Sequence, residues 1–137
     1  MRALITGAAG FIGQRLTRRL LQVPDALCGR LDELLLLDMQ ARQDGVAASP
    51  KSSPSTRWFE GDLVDRRLIA STLAGGVDYV FHLASVPGGS AEANFDLSMR
   101  ANLEGTRLLR EAMRGLSNPP VFVFASSIAV FGVPLPE

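Results

Sequence analysis

Along this chain, short unbroken apolar runs alternate with stretches in which apolar residues recur every three or four positions. Ala3-Leu4-Ile5, ending at Thr6-Gly7, reads as a buried strand. From Phe11 to Val23, the residues Phe11, Ile12, Leu16, Leu20 and Val23 fall near helical spacing. Arg15, Arg18 and Arg19 lie between them, and Pro24 stops the helix. Glu33 to Met39 contains Leu34-Leu35-Leu36-Leu37 and is too short between its turns to be a helix, so it reads as a second strand closed by Asp38. Residues 40–55, rich in Ser, Ala and Pro, predict a surface loop. Further on, the pattern predicts a strand over Thr56–Glu60, a short helix over Asp65–Leu73 and a strand over Val77–Leu83. The longest helix is expected over Ala91–Leu116, broken by Asn118-Pro119-Pro120, with a fifth strand over Val121–Ala125.

Apolar strands alternating with helices predict an α/β fold, a doubly wound parallel sheet with helices on both faces. Right-handed crossovers give the strand order 3-2-1-4-5. Composition narrows the partners. Of 137 residues, 14 Lys and Arg balance 14 Asp and Glu, so no net charge draws the chain to nucleic acid or an anionic membrane. No run approaches the roughly 18 apolar residues a spanning helix needs, and Arg15, Arg18 and Arg19 stand where a signal peptide would be cleaved. The single cysteine, Cys28, fits a reducing cytoplasm, and no metal site is expected.

Ligands on doubly wound sheets sit at the carboxyl ends of the strands, where the strand order reverses. After the first strand comes Thr6-Gly7-Ala8-Ala9-Gly10-Phe11-Ile12-Gly13, glycines at every third position between strand and helix. Gly7 is expected to permit the turn, Gly10 to let the backbone approach a pyrophosphate, and Gly13 to let helix and sheet pack closely. The helix N-terminus adds free N–H groups and a positive dipole. An ordinary tight turn is the structural alternative. Asp38 can accept hydrogen bonds from an adenosine ribose and would repel the 2′-phosphate of NADP, which favours NAD, although Arg42 could offset that repulsion. Its alternative is a local turn. Asp62, followed by Leu63, can accept from an adenine amino group or cap the next helix. His82 ends the fourth strand and reads as structural more than catalytic. Ala84 and Ser85 are small enough to let a cofactor pass, and the loop from Val86 to Ser90 lies where a substrate would meet it. Ser126 and Ser127, after the fifth strand, offer hydroxyls to a substrate or close a turn.

Together these motifs resemble the extended short-chain dehydrogenase/reductase family, also called NAD-dependent epimerase/dehydratases. The matching residues are Thr6 to Gly13, Asp38, Gly61-Asp62-Leu63, His82-Leu83-Ala84, Asn102-Leu103-Glu104-Gly105-Thr106 and Ser126-Ser127. The resemblance implies NAD as cofactor, held by Gly7, Ala9, Gly10, Phe11, Ile12, Gly13, Asp38, Asp62, Leu63, Ala84, Ser85 and Asn102. A substrate would meet Val86, Ser126 and Ser127. Within the family, Val80 to Ser85, Ala91 to Leu97 and Ser126 to Gly132 are most similar to members that oxidise a four-carbon sugar acid, D-erythronate, at its 2-hydroxyl. A nucleotide-sugar epimerase or dehydratase, and a non-catalytic dinucleotide sensor, are the alternatives. Family chemistry uses a Tyr base, a Lys four residues later and a Ser, and Ser127 matches the Ser. The only Tyr is Tyr79, inside a strand, and the only Lys is Lys51, in the loop. The Tyr and Lys partners of Ser127 are therefore expected beyond Glu137, the last residue of the sequence. The chain is expected to be an NAD-binding Rossmann domain over 1–137 that is incomplete at its C-terminus, lacks the substrate domain and is inactive by itself. Related enzymes dimerise through the helix expected over 91–116, which implies a homodimer.

Overall fold

The computed structural model describes residues 1–41 and 54–132. The centre of the expected 40–55 loop, with Arg42 and Lys51, lies outside the described residues, and so do residues 133–137, ending at Glu137. Among those described, five strands form one parallel sheet: β1 (Arg2–Thr6), β2 (Glu33–Asp38), β3 (Ser55–Glu60), β4 (Tyr79–His82) and β5 (Val121–Phe124). Their order is β3-β2-β1-β4-β5, as the alternation of apolar runs predicts. The order reverses at β1, between β2 and β4, so the crevice of the doubly wound sheet opens beside the end of β1.

The four consecutive leucines of β2 show why both faces are covered. Side chains alternate along a strand, so Leu35 and Leu37 join Leu4 and Val80 on one face, while Leu34 and Leu36 join Ala3 and Ile5 on the other. The first face is sealed by Ile69 and Leu73 of α2 (Arg66–Leu73) and by Leu108, Leu109 and Met113 of α5 (Thr106–Arg114). The second is sealed by Leu20 of α1 (Phe11–Gln22) together with Leu31. All four leucines are at most 2% exposed, so the run is buried from both sides.

The helix expected over 91–116 is corrected. The chain enters helix at α3 (Gly88–Ala93) and breaks at Asn94, whose backbone is not helical. It restarts as α4 (Phe95–Ser98), widens into a π-helix over Met99–Gly105, and tightens into α5, which ends at Arg114. The break has a local cause: the Asn94 side chain accepts from the Leu97 N–H at 3.0 Å and caps the new helix. Asparagine's preference for that position was a legible signal. The π-helix was not legible, because its wide turn answers contacts from distant elements. One is Gly105, where an added Cβ would lie 2.9 Å from the Leu63 Cβ.

No helix among the described residues is long and apolar enough to cross a membrane, and no group of His, Cys, Asp and Glu among them is placed to hold a metal ion.

Candidate functional site

Residues from four strand ends line one crevice: Gly7 and Gly10 after β1, Asp38 at the end of β2, Gly61, Asp62 and Leu63 after β3, and Ala84, Ser85 and Val86 after β4. Ala101 of the π-helix closes one side.

The glycine turn is stitched into the sheet. The Gly7 and Ala8 N–H groups donate to the Leu37 carbonyl at 2.9 and 3.3 Å, and the Ala9 N–H donates to Asp38 Oδ2 at 2.9 Å. Gly7 has φ +73°, and a Cβ there would lie 2.7 Å from the Ala84 nitrogen, so only glycine fits between the ends of β2 and β4. Gly13 plays a different part from the one expected of it. A Cβ there would lie 2.1 Å from the Gly7 carbonyl oxygen and 2.8 Å from Ala8 Cα, so Gly13 seats the helix on the turn itself, not on the sheet. At Gly10 the nearest atom to an added Cβ is the Gly7 oxygen at 3.2 Å, and no other lies within 4 Å. Helix α1 starts at Phe11 with no side-chain cap and no acidic residue in its first turn. Its leading N–H groups and positive dipole thus meet no carboxylate of their own, the arrangement that binds a phosphate. The Phe11 and Ile12 side chains are exposed.

Asp38 makes the local turn that was one of its two expected roles, and it also anchors the glycine turn. Oδ2 anchors the glycine turn through Ala9, and Oδ1 accepts from the Gln40 N–H at 3.0 Å in a local turn. Each oxygen keeps a second acceptor site, so the carboxylate can still receive ribose hydroxyls. Asp62 does not cap the helix that follows; Asp65 does, accepting from the Arg67 and Leu68 N–H groups. Asp62 Oδ1 accepts from Val64 N–H at 3.1 Å, and Oδ2 accepts from Arg100 Nε at 2.9 Å. Leu63 lines the crevice with its side chain rooted in the core.

His82 is 1% exposed and fully engaged. Nδ1 lies 2.6 Å from the hydroxyl of Thr6, its register partner on β1, and Nε2 lies 2.7 Å from the Thr106 hydroxyl. Thr106 spends its one proton on the Asn102 carbonyl at 2.7 Å. It must therefore accept from His82, which makes the imidazole the neutral Nε2–H tautomer. Thr6 then donates to Nδ1, and its oxygen receives the Ala84 N–H at 3.4 Å. Burial holds the imidazole pKa down to about 4, so it stays neutral at physiological pH. The histidine is structural, as its position in the sequence indicated. Thr6 and Thr106 were missed as its partners, since only the sheet register and the helix packing bring them to it.

Asn102, expected at the cofactor, has its side chain committed elsewhere: Oδ1 accepts from Val86 N–H at 2.7 Å and Nδ2 donates to the Val86 carbonyl at 3.0 Å. This two-point clamp fixes the loop that follows β4. Ser126 and Ser127 are exposed just past β5, and the Ser127 carbonyl accepts from Val130 N–H at 3.3 Å as the chain turns into a 3₁₀ segment, Ile128–Phe131. Of the three residues expected to carry the family chemistry, only the serine expected at Ser127 falls among the described residues. The Tyr and Lys expected beyond Glu137 fall outside them, and Tyr79, paired with Ala3 inside the sheet, does not stand in for the base.

A doubly wound parallel sheet with a glycine turn, an uncapped helix N-terminus and a strand-end aspartate defines a dinucleotide-binding domain of the Rossmann class. Residues 3–137 match the NAD dependent epimerase/dehydratase family, and the chain belongs to it. The sequence is 41% identical over 140 residues to a protein of Cupriavidus necator named D-erythronate dehydrogenase, covering 99% of this chain and 41% of that one. Among solved structures, the nucleoside-diphosphate-sugar epimerase from Agrobacterium tumefaciens superposes with a TM-score of 0.86 at 36% identity, covering 99% of this chain and 40% of that one. A uronate dehydrogenase variant from the same organism, complexed with NAD, superposes at 0.70 with 28% identity, covering 92% of this chain and 40% of that one. The chain thus spans about two-fifths of the length of these relatives.

Proposed function

We propose that the chain is the NAD-holding part of an enzyme that oxidises a sugar acid, such as D-erythronate, at a hydroxyl group. The observation that carries the dinucleotide reading is the crevice itself. It combines an open approach at Gly10, N–H groups at the start of α1 that no side chain caps, and the Asp38 carboxylate one strand away. Gly7, Gly10 and Gly13, with the Ala9, Phe11 and Ile12 backbones, would hold the pyrophosphate. Asp38 would hold the adenosine ribose, Asp62 and Leu63 the adenine, and Ala84 and Ser85 the remainder. Bound NAD supplies the oxidising group. Around it, the His82–Thr106–Asn102 chain and the Val86 clamp fix the loop that borders the substrate, and the Ser127 hydroxyl donates to the substrate oxygen. In this reading a Tyr base and its Lys come from the part of a longer protein that follows Glu137.

The character of the two sheet edges supports the reading of a longer protein. Edge strand β3 carries Arg57 and Glu60, charges that guard against further pairing. Edge strand β5 is Val-Phe-Val-Phe, with Val121 54%, Val123 42% and Phe124 53% exposed. An unguarded apolar edge of this kind fits a strand that continues the sheet.

The sugar-acid substrate rests on the likeness to the dehydrogenases, and a nucleotide-sugar epimerase is the second reading, favoured by the similarity to the epimerase structure. Absorbance at 340 nm separates them in the full-length protein. A sugar-acid dehydrogenase accumulates NADH; an epimerase returns its cofactor oxidised, and a sensor does neither. For the cofactor, equilibrium titration should show NAD bound at least about tenfold more tightly than NADP, because a 2′-phosphate would face the Asp38 carboxylate. Tighter binding of NADP would overturn the role given to Asp38.

The exposed Phe95, Met99 and Leu103 line one apolar strip from α4 into the π-helix. A second copy of the protein covers this strip in the proposed homodimer. Sedimentation of the full-length protein at micromolar concentration is expected to show a dimer, and a monomer there excludes it.

A further inference from the structure

Asp62 is paired with Arg100, a residue to which the cofactor reading gives no part. Arg100 belongs to the π-helix, next to Ala101, which lines the crevice, while Asp62 lines the same crevice from the end of β3. Asp62 is held at both oxygens, by Val64 N–H at 3.1 Å on Oδ1 and by Arg100 Nε at 2.9 Å on Oδ2. A pair this exposed contributes little stability. What it bears on is orientation, because a carboxylate held at both oxygens has less freedom to rotate or slide. Each oxygen keeps one acceptor site, so the pinned group offers acceptors and no donor.

We propose that Arg100 is a positioning residue that makes the crevice select adenine over 6-oxo purines, by pinning the Asp62 carboxylate. The inference rests on the reading of this crevice as an NAD site with the purine at Asp62. An adenine amino group donates to a fixed acceptor. Hypoxanthine presents a carbonyl oxygen at that position, which a fixed carboxylate repels, and its only nearby donor is the ring N1–H. A carboxylate free to move could shift to that N1–H and accept the wrong base. Arg100 reduces that freedom. Gly105 contributes by letting the same π-helix press against Leu63, where an added Cβ would lie 2.9 Å from the Leu63 Cβ.

The test is a binding titration on the full-length protein with NAD and with nicotinamide hypoxanthine dinucleotide, in wild type, Arg100→Gln and Arg100→Lys. Wild type is expected to prefer NAD by at least about tenfold, since an acceptor facing a base with no matching donor is costly. Arg100→Gln should reduce that preference to below about threefold, mostly by weakening NAD, and Arg100→Lys should restore part of it. An Arg100→Gln protein that loses affinity for both dinucleotides equally shows that the pair only braces the π-helix, and overturns the inference. So does one that keeps the full preference. Wild type that binds NAD without base preference also refutes it while leaving the NAD reading intact. Wild type that binds neither dinucleotide overturns the NAD reading and this inference with it. Thermal unfolding of each variant, run alongside, confirms that the comparison is between folded proteins.

Discussion

Gly13→Ala is expected to cost the protein about 3 kcal/mol or more of stability and to weaken NAD binding at least about tenfold. The reason is the character of the atoms an alanine methyl would meet. At Gly13 the obstacles are the Gly7 carbonyl oxygen at 2.1 Å and Ala8 Cα at 2.8 Å, both backbone. Neither can rotate aside as a side chain could. The turn is also tied to the end of β2 through Leu37 and Asp38, so it cannot retreat without breaking those bonds. Helix α1 must therefore lift off the turn, which moves its N–H groups away from the place where a pyrophosphate would sit. Gly88→Ala is the matched control: it sits at the start of α3 with nothing within 4 Å of an added Cβ and should leave both properties unchanged. Urea unfolding and NAD titration of the two variants measure the effect. A Gly13→Ala protein that binds NAD within about threefold of wild type would refute the account of the turn.

Acidification gives the second large effect. His82 is the only histidine, and its pKa is held to about 4 in the folded protein by burial, against about 6.5 when unfolded. Between those values the unfolded chain takes up a proton that the folded chain does not. Stability from this group is therefore complete above about pH 6.5 and falls as pH drops. The loss reaches roughly 3 kcal/mol near pH 4, at about 1.4 kcal/mol per pH unit. The neighbours explain why the fold resists the proton. Thr6 and Thr106 are uncharged, the Phe122 and Phe124 rings lie 5.8 and 5.7 Å away, and a protonated Nδ1 would lose the Thr6 hydroxyl as donor. Unfolded carboxylates titrate near pH 4, so the window from about pH 6.5 to 5 isolates the histidine. The urea midpoint of the full protein should fall by about 2 kcal/mol equivalent across it, and His82→Gln should flatten that slope. A wild-type midpoint constant across that window would mean that the imidazole is not buried neutral.

Much of the architecture was readable from the order of residues, for identifiable reasons. Four consecutive leucines between turns have to be buried on both faces, which requires a parallel sheet with helices above and below it. The glycine turn was readable because three glycines between an apolar strand and an amphipathic helix leave few alternatives. The candidate crevice follows, because chain order places Gly7, Asp38, Asp62 and Ala84 at the ends of successive strands. Where the reading failed, one cause was local and one was not: the Asn94 cap is a short-range signal, the widening of the helix is not. The helix over 91–116 has a continuous helical pattern, yet it breaks at Asn94 and widens at Met99–Gly105. Propensity is a local average and cannot register the press of Gly105 on Leu63.

The sequence by itself determined the fold class, the strand order and the place of the candidate crevice, and it favoured a structural His82. These follow from short-range facts: periodicity, turn residues and the hand of the crossovers. Only the tertiary structure decided what each polar group does there. Asp38 is shared between the glycine turn and the crevice, Asp62 is pinned by Arg100, Asn102 clamps Val86, and Gly13 seats a helix on a turn. Each of those assignments joins residues from 16 to 38 positions apart, except Gly13, which meets Gly7 within the same motif. A hydrogen bond depends on distances of a few tenths of an ångström. Separations of that size are fixed by how strands register and helices pack, and the order of residues along the chain does not carry them.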